Sequence, residues 1–394
     1  MLACAMDVLE KFTNDYKNTF IRYIKMINFI GLDFYLETGE SLFKSRKRYY
    51  LFLICFIIFF LCQITFIFRS HKTDAKFLDI ANAVPCLVLV IQDFVKLLAI
   101  TTKRKEIKNV IFKINDEWPK EKNYGERSNI IENWTKRNKS FQNVYYGISL
   151  FCLCIYELIP LVATLYNRVM GLDTEYFFPF ELYYPYKVDS FFVYLVTYFC
   201  QAFASSSLHA CIYIASDLLI TSLLSDVTAL FALLQYDLEN VTSQLKQTSI
   251  NQDEEQYNCA VKNIVNRHQR LLGIIKELNG IYGVVIFIFI TSSSIICCFF
   301  CFLTVVQNGL QSVKNLLAGG AMLGAILVVA FPGQQHYDMS FGVAYAAYCS
   351  LWYERNEKFK NLILILIVRS QRASCLSALG FSDVTLATFS KVSF

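Results

Sequence analysis

Charge is scarce in this sequence. Asp, Glu, Lys and Arg make up 18% of its 394 residues, where a soluble domain carries about 25%. A water-exposed surface of ordinary size is therefore not expected. Histidine is scarcer still. His71, His209, His268 and His336 stand far apart, without the spacing of a metal site. No glycine-rich phosphate loop, nucleophile elbow or zinc-binding helix occurs. No nucleophile, base and orienting group fall together either, so the sequence does not read as an enzyme and calls for no cofactor. The net charge of +5 is spread over loops. That pattern gives no nucleic-acid surface and suits anionic lipid.

What the chain has instead is apolar length. Hydrophobic residues are 55% of it, with 35 Phe and 24 Tyr, and the mean hydropathy is +0.39. A bilayer span needs about 20 mostly apolar residues. Six stretches qualify, near 49–68, 77–100, 144–166, 191–224, 281–306 and 315–331, and a partial seventh covers 381–394. Of the 37 Lys and Arg, 29 fall in the N-terminal segment and every second loop after it, and 6 in the loops between. Cationic loops stay in the cytoplasm. The expectation is an all-α, seven-transmembrane bundle with the N-terminus inside, the inverse of a G-protein-coupled receptor. Residues 1–48 lack a cleavable signal pattern, and the basic run Lys44, Arg46, Lys47, Arg48 precedes the first span.

Position disarms the 14 cysteines. Ten lie in spans, Cys4, Cys259, Cys349 and Cys375 lie on the expected reducing side, and the outer loops have none, so no disulfide is expected. The triplets at Asn133, Asn138 and Asn240 fall on expected cytoplasmic loops and read as unmodified.

Residues 14–31 place Phe20, Ile21, Ile24, Ile27 and Ile30 at helical spacing, an interfacial or re-entrant helix. The fourth apolar stretch, 34 residues long, would run about 50 Å as a helix; it must tilt, kink or project. Ionisable groups inside spans are functional hypotheses by default. Asp79, Asp93, Lys96, Glu157 and Asp217 are the candidates. Asp93 and Lys96, three apart, can neutralise each other on one helix face, and Asp217 is expected to be solvated. A ligand entering from outside would meet the outer halves of the helices. Tyr156, Ile159, Ala163, Tyr194 and Tyr198 are the candidate pocket residues there, an aromatic lining suited to a small volatile or lipophilic molecule.

The C-terminal third carries a spaced set: Gly333-Gln334, Ser340, Ala346-Ala347-Tyr348, Trp352, Arg369-Ser370-Gln371, Gly380-Phe381 and Thr388-Phe389. Pro179, Tyr184-Pro185 and His268–Leu272 add to it. In these residues the chain resembles the insect odorant receptors. It departs from their pattern at Ala330-Phe331-Pro332 and at Ala373, and it ends at Phe394, short of a full seventh helix. The resemblance implies an odorant-binding tuning subunit of a ligand-gated, non-selective cation channel. Its partner would be the odorant co-receptor, in a heterotetramer, in the plasma membrane of olfactory sensory neurons. A cytoplasmic helix over 340–372 would belong to the inter-subunit anchor, with Tyr348, Trp352, Arg369, Ser370 and Gln371 as its residues. A truncated, non-conducting form and a gustatory receptor of the same topology stay open as alternatives.

Overall fold

The computed structural model describes residues 14–32, 40–72, 77–120, 125–172, 176–242 and 250–393. Eleven α-helices fall within them: α1 (Asn14–Phe29), α2 (Glu40–Lys72), α3 (Phe77–Thr102), α4 (Arg104–Glu117), α5 (Glu126–Val169), α6 (Phe191–Leu208), α7 (Ala215–Glu239), α8 (Ile250–Val306), α9 (Leu310–Tyr348), α10 (Glu357–Ser370) and α11 (Leu386–Ser393). A π-helical segment, His209–Ile214, joins α6 to α7 without a break. Six helices are long and apolar enough to cross a membrane. The side chain of Asp79 and the residue Cys4 lie outside what is described.

The exposed faces explain the apolar excess. On α5, Val144, Ile148, Phe151, Leu158, Val162 and Leu165 are all exposed. Their three- and four-residue spacing puts them on one stripe, and α2 does the same with Leu51, Ile54, Ile58 and Leu61. Contiguous apolar surface on this scale needs a lipid or protein neighbour.

At the opposite extreme, α7 is buried all round, from Ala215 to Phe231 without interruption. A helix apolar on every face belongs at the centre of a bundle. It packs against α9, α5, α8 and α1. Its buried hydroxyls, Thr221 and Thr228, donate back to carbonyls of Leu218 and Leu224 at 3.1 and 2.8 Å. They need no outside partner.

The sequence places α1 at a lipid interface; its apolar face goes to protein instead. Tyr16, Phe20, Ile24 and Ile27 are fully buried. Thr19 Oγ1 donates to Asp226 Oδ2 at 2.8 Å, and Ser222 Oγ donates to the Thr19 carbonyl at 2.9 Å. Tyr23 donates to Gln142 Oε1 at 2.6 Å, and burial pushes its hydroxyl up to about 12. Hydroxyls on both α1 and α7, not just an apolar stripe, specify this docking.

Length carries the bundle past a bilayer. By the α-helical rise, α8 spans about 85 Å and α9 about 58 Å, and both extend at the end rich in Lys and Arg, called here the basic end. There Arg267 of α8 lies 3.1 Å from Asp237 of α7 and 3.5 Å from Glu117 of α4, and Arg127 of α5 lies 3.2 Å from Asp237. One network ties four helices.

The stretch 340–372 is not one helix. α9 runs through Pro332 to Tyr348. Leu351 then turns left-handed at φ 51°, Trp352–Glu354 make a 3₁₀ turn, and Asn356 caps α10 by accepting from Phe359 N at 2.9 Å. The reversal lets α10 fold back onto α9 and α8. Beyond it, Ser377–Ala378 and Ser382–Asp383 form a two-stranded hairpin. Its turn residues Leu379 and Gly380 have φ of 54° and 80°, the type I′ geometry that suits strand twist. The hairpin lies so close to α9 that a Cβ on Gly333 would stand 2.0 Å from the Val384 carbonyl oxygen. One helical turn along, His336 Nε2 meets Ser374 Oγ at 3.0 Å, and Ser340 Oγ accepts from Ser374 N at 2.9 Å.

Gly333→Ala therefore forces backbone apart, an overpacking cost of about 1–3 kcal/mol. The surface-biotinylated fraction should fall several-fold. Gly147→Ala, whose Cβ meets nothing within 4 Å, should leave it unchanged.

Candidate functional site

A cavity of about 110 Å³ opens among α2, α3, α5, α6, the π segment, α8 and α9. An apolar cavity of roughly 150 Å³ takes up a benzene-sized molecule, so this one is on the scale of a small ligand. Aromatic rings form most of its wall: Phe56 and Phe59 of α2, Tyr145 and Tyr156 of α5, and Phe300 of α8. The space itself comes from α9, where Ala318, Ala321 and Ala325 share one face and present only methyl groups. From Tyr156 to Tyr145 the cavity follows α5 for about 16 Å.

The end away from the basic pole is covered by the segment between α5 and α6, which puts Phe180 on the cavity. Several bonds pin it down. Gln201 Nε2 donates to the Phe180 carbonyl at 2.6 Å, Tyr183 N to the Cys62 carbonyl at 3.1 Å, and Phe177 N to Thr164 Oγ1 at 3.0 Å. Tyr194, fully buried, stacks on Tyr176 with ring centroids 4.7 Å apart. Its hydroxyl lies 3.1 Å from Thr164 Oγ1 and 3.0 Å from the Phe177 carbonyl. Tyr194 and its neighbours are a plug.

This shifts the site relative to the sequence reading. Of the five candidates, Tyr156 lines the cavity; Ile159, Ala163, Tyr194 and Tyr198 do not. Tyr194 and Tyr198 hold helices together, the latter by donating to the Glu157 carbonyl. The folded loop covers the helix ends away from the basic end, and the free space lies between that cover and the basic end. Its polar members are Asp93, Ser149, Ser205, His209 and Tyr213. His209 and Tyr213 escaped the sequence reading because a π segment changes the periodicity. The two rings stack at 4.5 Å, and π segments recur at functional sites.

The ionisable groups are arranged differently from expectation too. Lys96 turns from Asp93 to Asp217, lying 2.7 Å from Oδ1 and 2.8 Å from Oδ2, with both side chains 2% exposed. Asp217 is not solvated. Its ion pair spans α3 and α7, and the Lys96 ammonium also sits 3.4 Å from the centroid of the Tyr213 ring, a cation–π contact. Asp93 is left with Oδ1 unpartnered. Glu157 is a clasp rather than a lining group: Ser205 and Ser206 of α6 reach its carboxylate at 2.7 and 2.8 Å.

The sequence model of the 7tm Odorant receptor family matches residues 76–393. The chain belongs to that family. Among curated relatives of this receptor, Odorant receptor 67a of Drosophila melanogaster is 22% identical over 377 residues, covering 93% of this chain and 90% of that one. Odorant receptor 85b of the same species is 25% identical over 327 residues, covering 81% and 80%. The solved structure of the insect olfactory receptor OR5 from Machilis hrabei, in complex with eugenol, superposes at a TM-score of 0.78 with 14% identity over 96% of each chain. The same receptor in another structure gives 0.80. The receptor is thus a multi-pass membrane protein of the helical odorant-receptor fold, in a family of receptors and channels rather than enzymes. The match also decides between odorant and gustatory readings.

The five anchor candidates all gather at the basic end. Tyr348, Arg369 and Gln371 are exposed, Trp352 is half-buried, and Ser370 is buried.

Removing one partner of a buried ion pair costs about 3–5 kcal/mol. Lys96→Met should therefore sharply lower the melting temperature of the detergent-purified receptor. Lys96→Met with Asp217→Leu should recover most of the loss. A double variant no better than the single one would mean the two charges are not coupled.

Proposed function

We propose that this receptor is the odorant-binding tuning subunit of a ligand-gated cation channel assembled with an odorant co-receptor. We place it in the plasma membrane of olfactory sensory neurons with its N-terminus in the cytoplasm. The observation that carries the ligand half is the aromatic-lined cavity among the apolar helices, behind a pinned loop. Dispersion against rings and exclusion of water suit a small lipophilic guest. The family relative solved with eugenol holds a molecule of that type.

Orientation rests on the charge asymmetry of the loops, which puts the basic end inside. Assembly is supported by exposed apolar residues on α9 and α10 at that end. Phe341, Tyr345, Tyr348, Ile365 and Val368 are all exposed, on parts of the helices that run beyond a bilayer's thickness. Such a surface calls for a protein neighbour. Tyr348, Trp352, Arg369, Ser370 and Gln371 lie at or beside it, and they are proposed as inter-subunit anchor residues.

Ligand binding can shift a closed-to-open equilibrium only if it favours one state. The cavity touches six transmembrane helices and the loop, so a guest can act on their relative positions.

Recording from cells that express the receptor with co-receptor should give odorant-evoked cation currents absent with co-receptor alone. Tyr156→Ala or Ala321→Phe should move the half-maximal concentration about tenfold or more at unchanged surface level. Tyr194→Ala, in contrast, should reduce surface delivery. Currents indifferent to Tyr156 and Ala321 would move the ligand site elsewhere. An epitope before α1 should be hidden from antibody in intact cells and one in the α5–α6 segment accessible.

A further inference from the structure

Among the polar groups on the cavity wall, the carboxyl of Asp93 is left unfinished. Asp93 is only 5% exposed and lines the cavity wall. Its Oδ1 has no hydrogen-bond partner. The cation that could have satisfied it, Lys96 on the next turn of α3, is committed to both oxygens of Asp217. Two polar neighbours on the same wall are engaged elsewhere. Ser205 Oγ is spent on Glu157 at 2.7 Å, and the Tyr213 hydroxyl faces Met322 Sδ at 3.8 Å.

A buried acceptor without a donor carries its full desolvation penalty. A ligand that supplies the donor recovers it, whereas a ligand with acceptors alone adds lone-pair repulsion. We propose that this cavity selects small apolar molecules carrying a hydroxyl or an amine, seated with the O–H or N–H on the carboxyl of Asp93. The proposal deepens the ligand-gated reading above and rests on it. It works in either protonation state when the guest is an amine, because the acid and the base share one proton between them. An alcohol or phenol donates to a carboxyl oxygen whether or not the acid is ionised. Ketones, esters and ethers of the same shape fill the cavity but leave Asp93 unpaired. Guests that are carboxylic acids bring a second negative charge to it.

The test uses full-length receptor with co-receptor, under voltage clamp, and matched pairs that share one skeleton. These are eugenol with its methyl ether, straight-chain C6 to C8 alcohols with their methyl ethers, and 2-phenylethylamine with propylbenzene, in which a methyl group replaces the amine. In the wild-type receptor the O–H or primary-amine member should be at least about tenfold more potent, the scale of a hydrogen bond to a charged group. In Asp93→Leu the gap should close to within about threefold. Asp93→Asn keeps a carbonyl acceptor and nearly the same shape. It should retain the alcohol preference and lose the added advantage of the amine, and it covers the case in which Asp93→Leu does not reach the surface. Equal potency within pairs in the wild type overturns the proposal, as does a gap that survives Asp93→Leu. Because Tyr156→Ala should weaken both members of each pair together, loss of the gap alone separates this proposal from the ligand-site reading. Silence for every pair, with the receptor at the surface, removes both.

Discussion

An ammonium and a carboxylate at membrane depth cannot stand apart, and the pairing of Lys96 with Asp217 organises much of what surrounds it. In a medium of low polarity an isolated charge is far costlier than a bonded pair. The pair therefore fixes α3 against the central helix α7 at one register. The π segment before α7 belongs to the same arrangement. It delivers Tyr213 and, four residues on, Asp217 to the same side, so ring and carboxylate meet one ammonium together. With Lys96 held there, Asp93 faces the cavity without it. A structural necessity in one layer thereby sets the chemistry of the next.

A second constraint works at the basic end, where packing is closest. Gly333 admits the Val384 carbonyl, Ser340 holds Ser374, and the left-handed pair Leu379-Gly380 closes the hairpin that both support. These are among the residues on which the resemblance to odorant receptors rests. The physical reason differs at each: Gly333 leaves no room for a side chain, Ser340 accepts from the Ser374 amide, and Gly380 holds a positive φ. With the Arg267 network, they make the basic end a compact helical block beneath a looser set of membrane helices.

Long-range order was legible in the sequence and local partnership was not. Hydropathy located all six spans because bilayer thickness imposes one length on each. Tyr156, one of the five residues named from the sequence, stands on the cavity wall. Asp93 and Lys96 were recognised as costly, yet spacing alone assigned them to each other; the competing partner, Asp217, is 121 residues further along the chain. The same limit hid the docking of α1, whose apolar stripe looks alike whether lipid or α7 receives it. Nor does any periodicity announce that the α5–α6 segment folds inward over the cavity. His209 and Tyr213 were missed for a different reason: an extra residue per turn breaks the 3.6-residue count on which facing is judged.

The alanine face of α9 has a consequence for how such receptors diverge. Ala318, Ala321 and Ala325 define the free volume by omission, and no ion pair or buried hydrogen bond depends on their methyl groups. Replacing one of them with valine or serine takes a single base change and alters the room by an increment smaller than a ligand. The frame held by Lys96, Asp217 and Gly333 is untouched. Chemical range can thus drift along one helix in small steps while the architecture stays constant. A fold superposable at 14% identity leaves ample room for such steps.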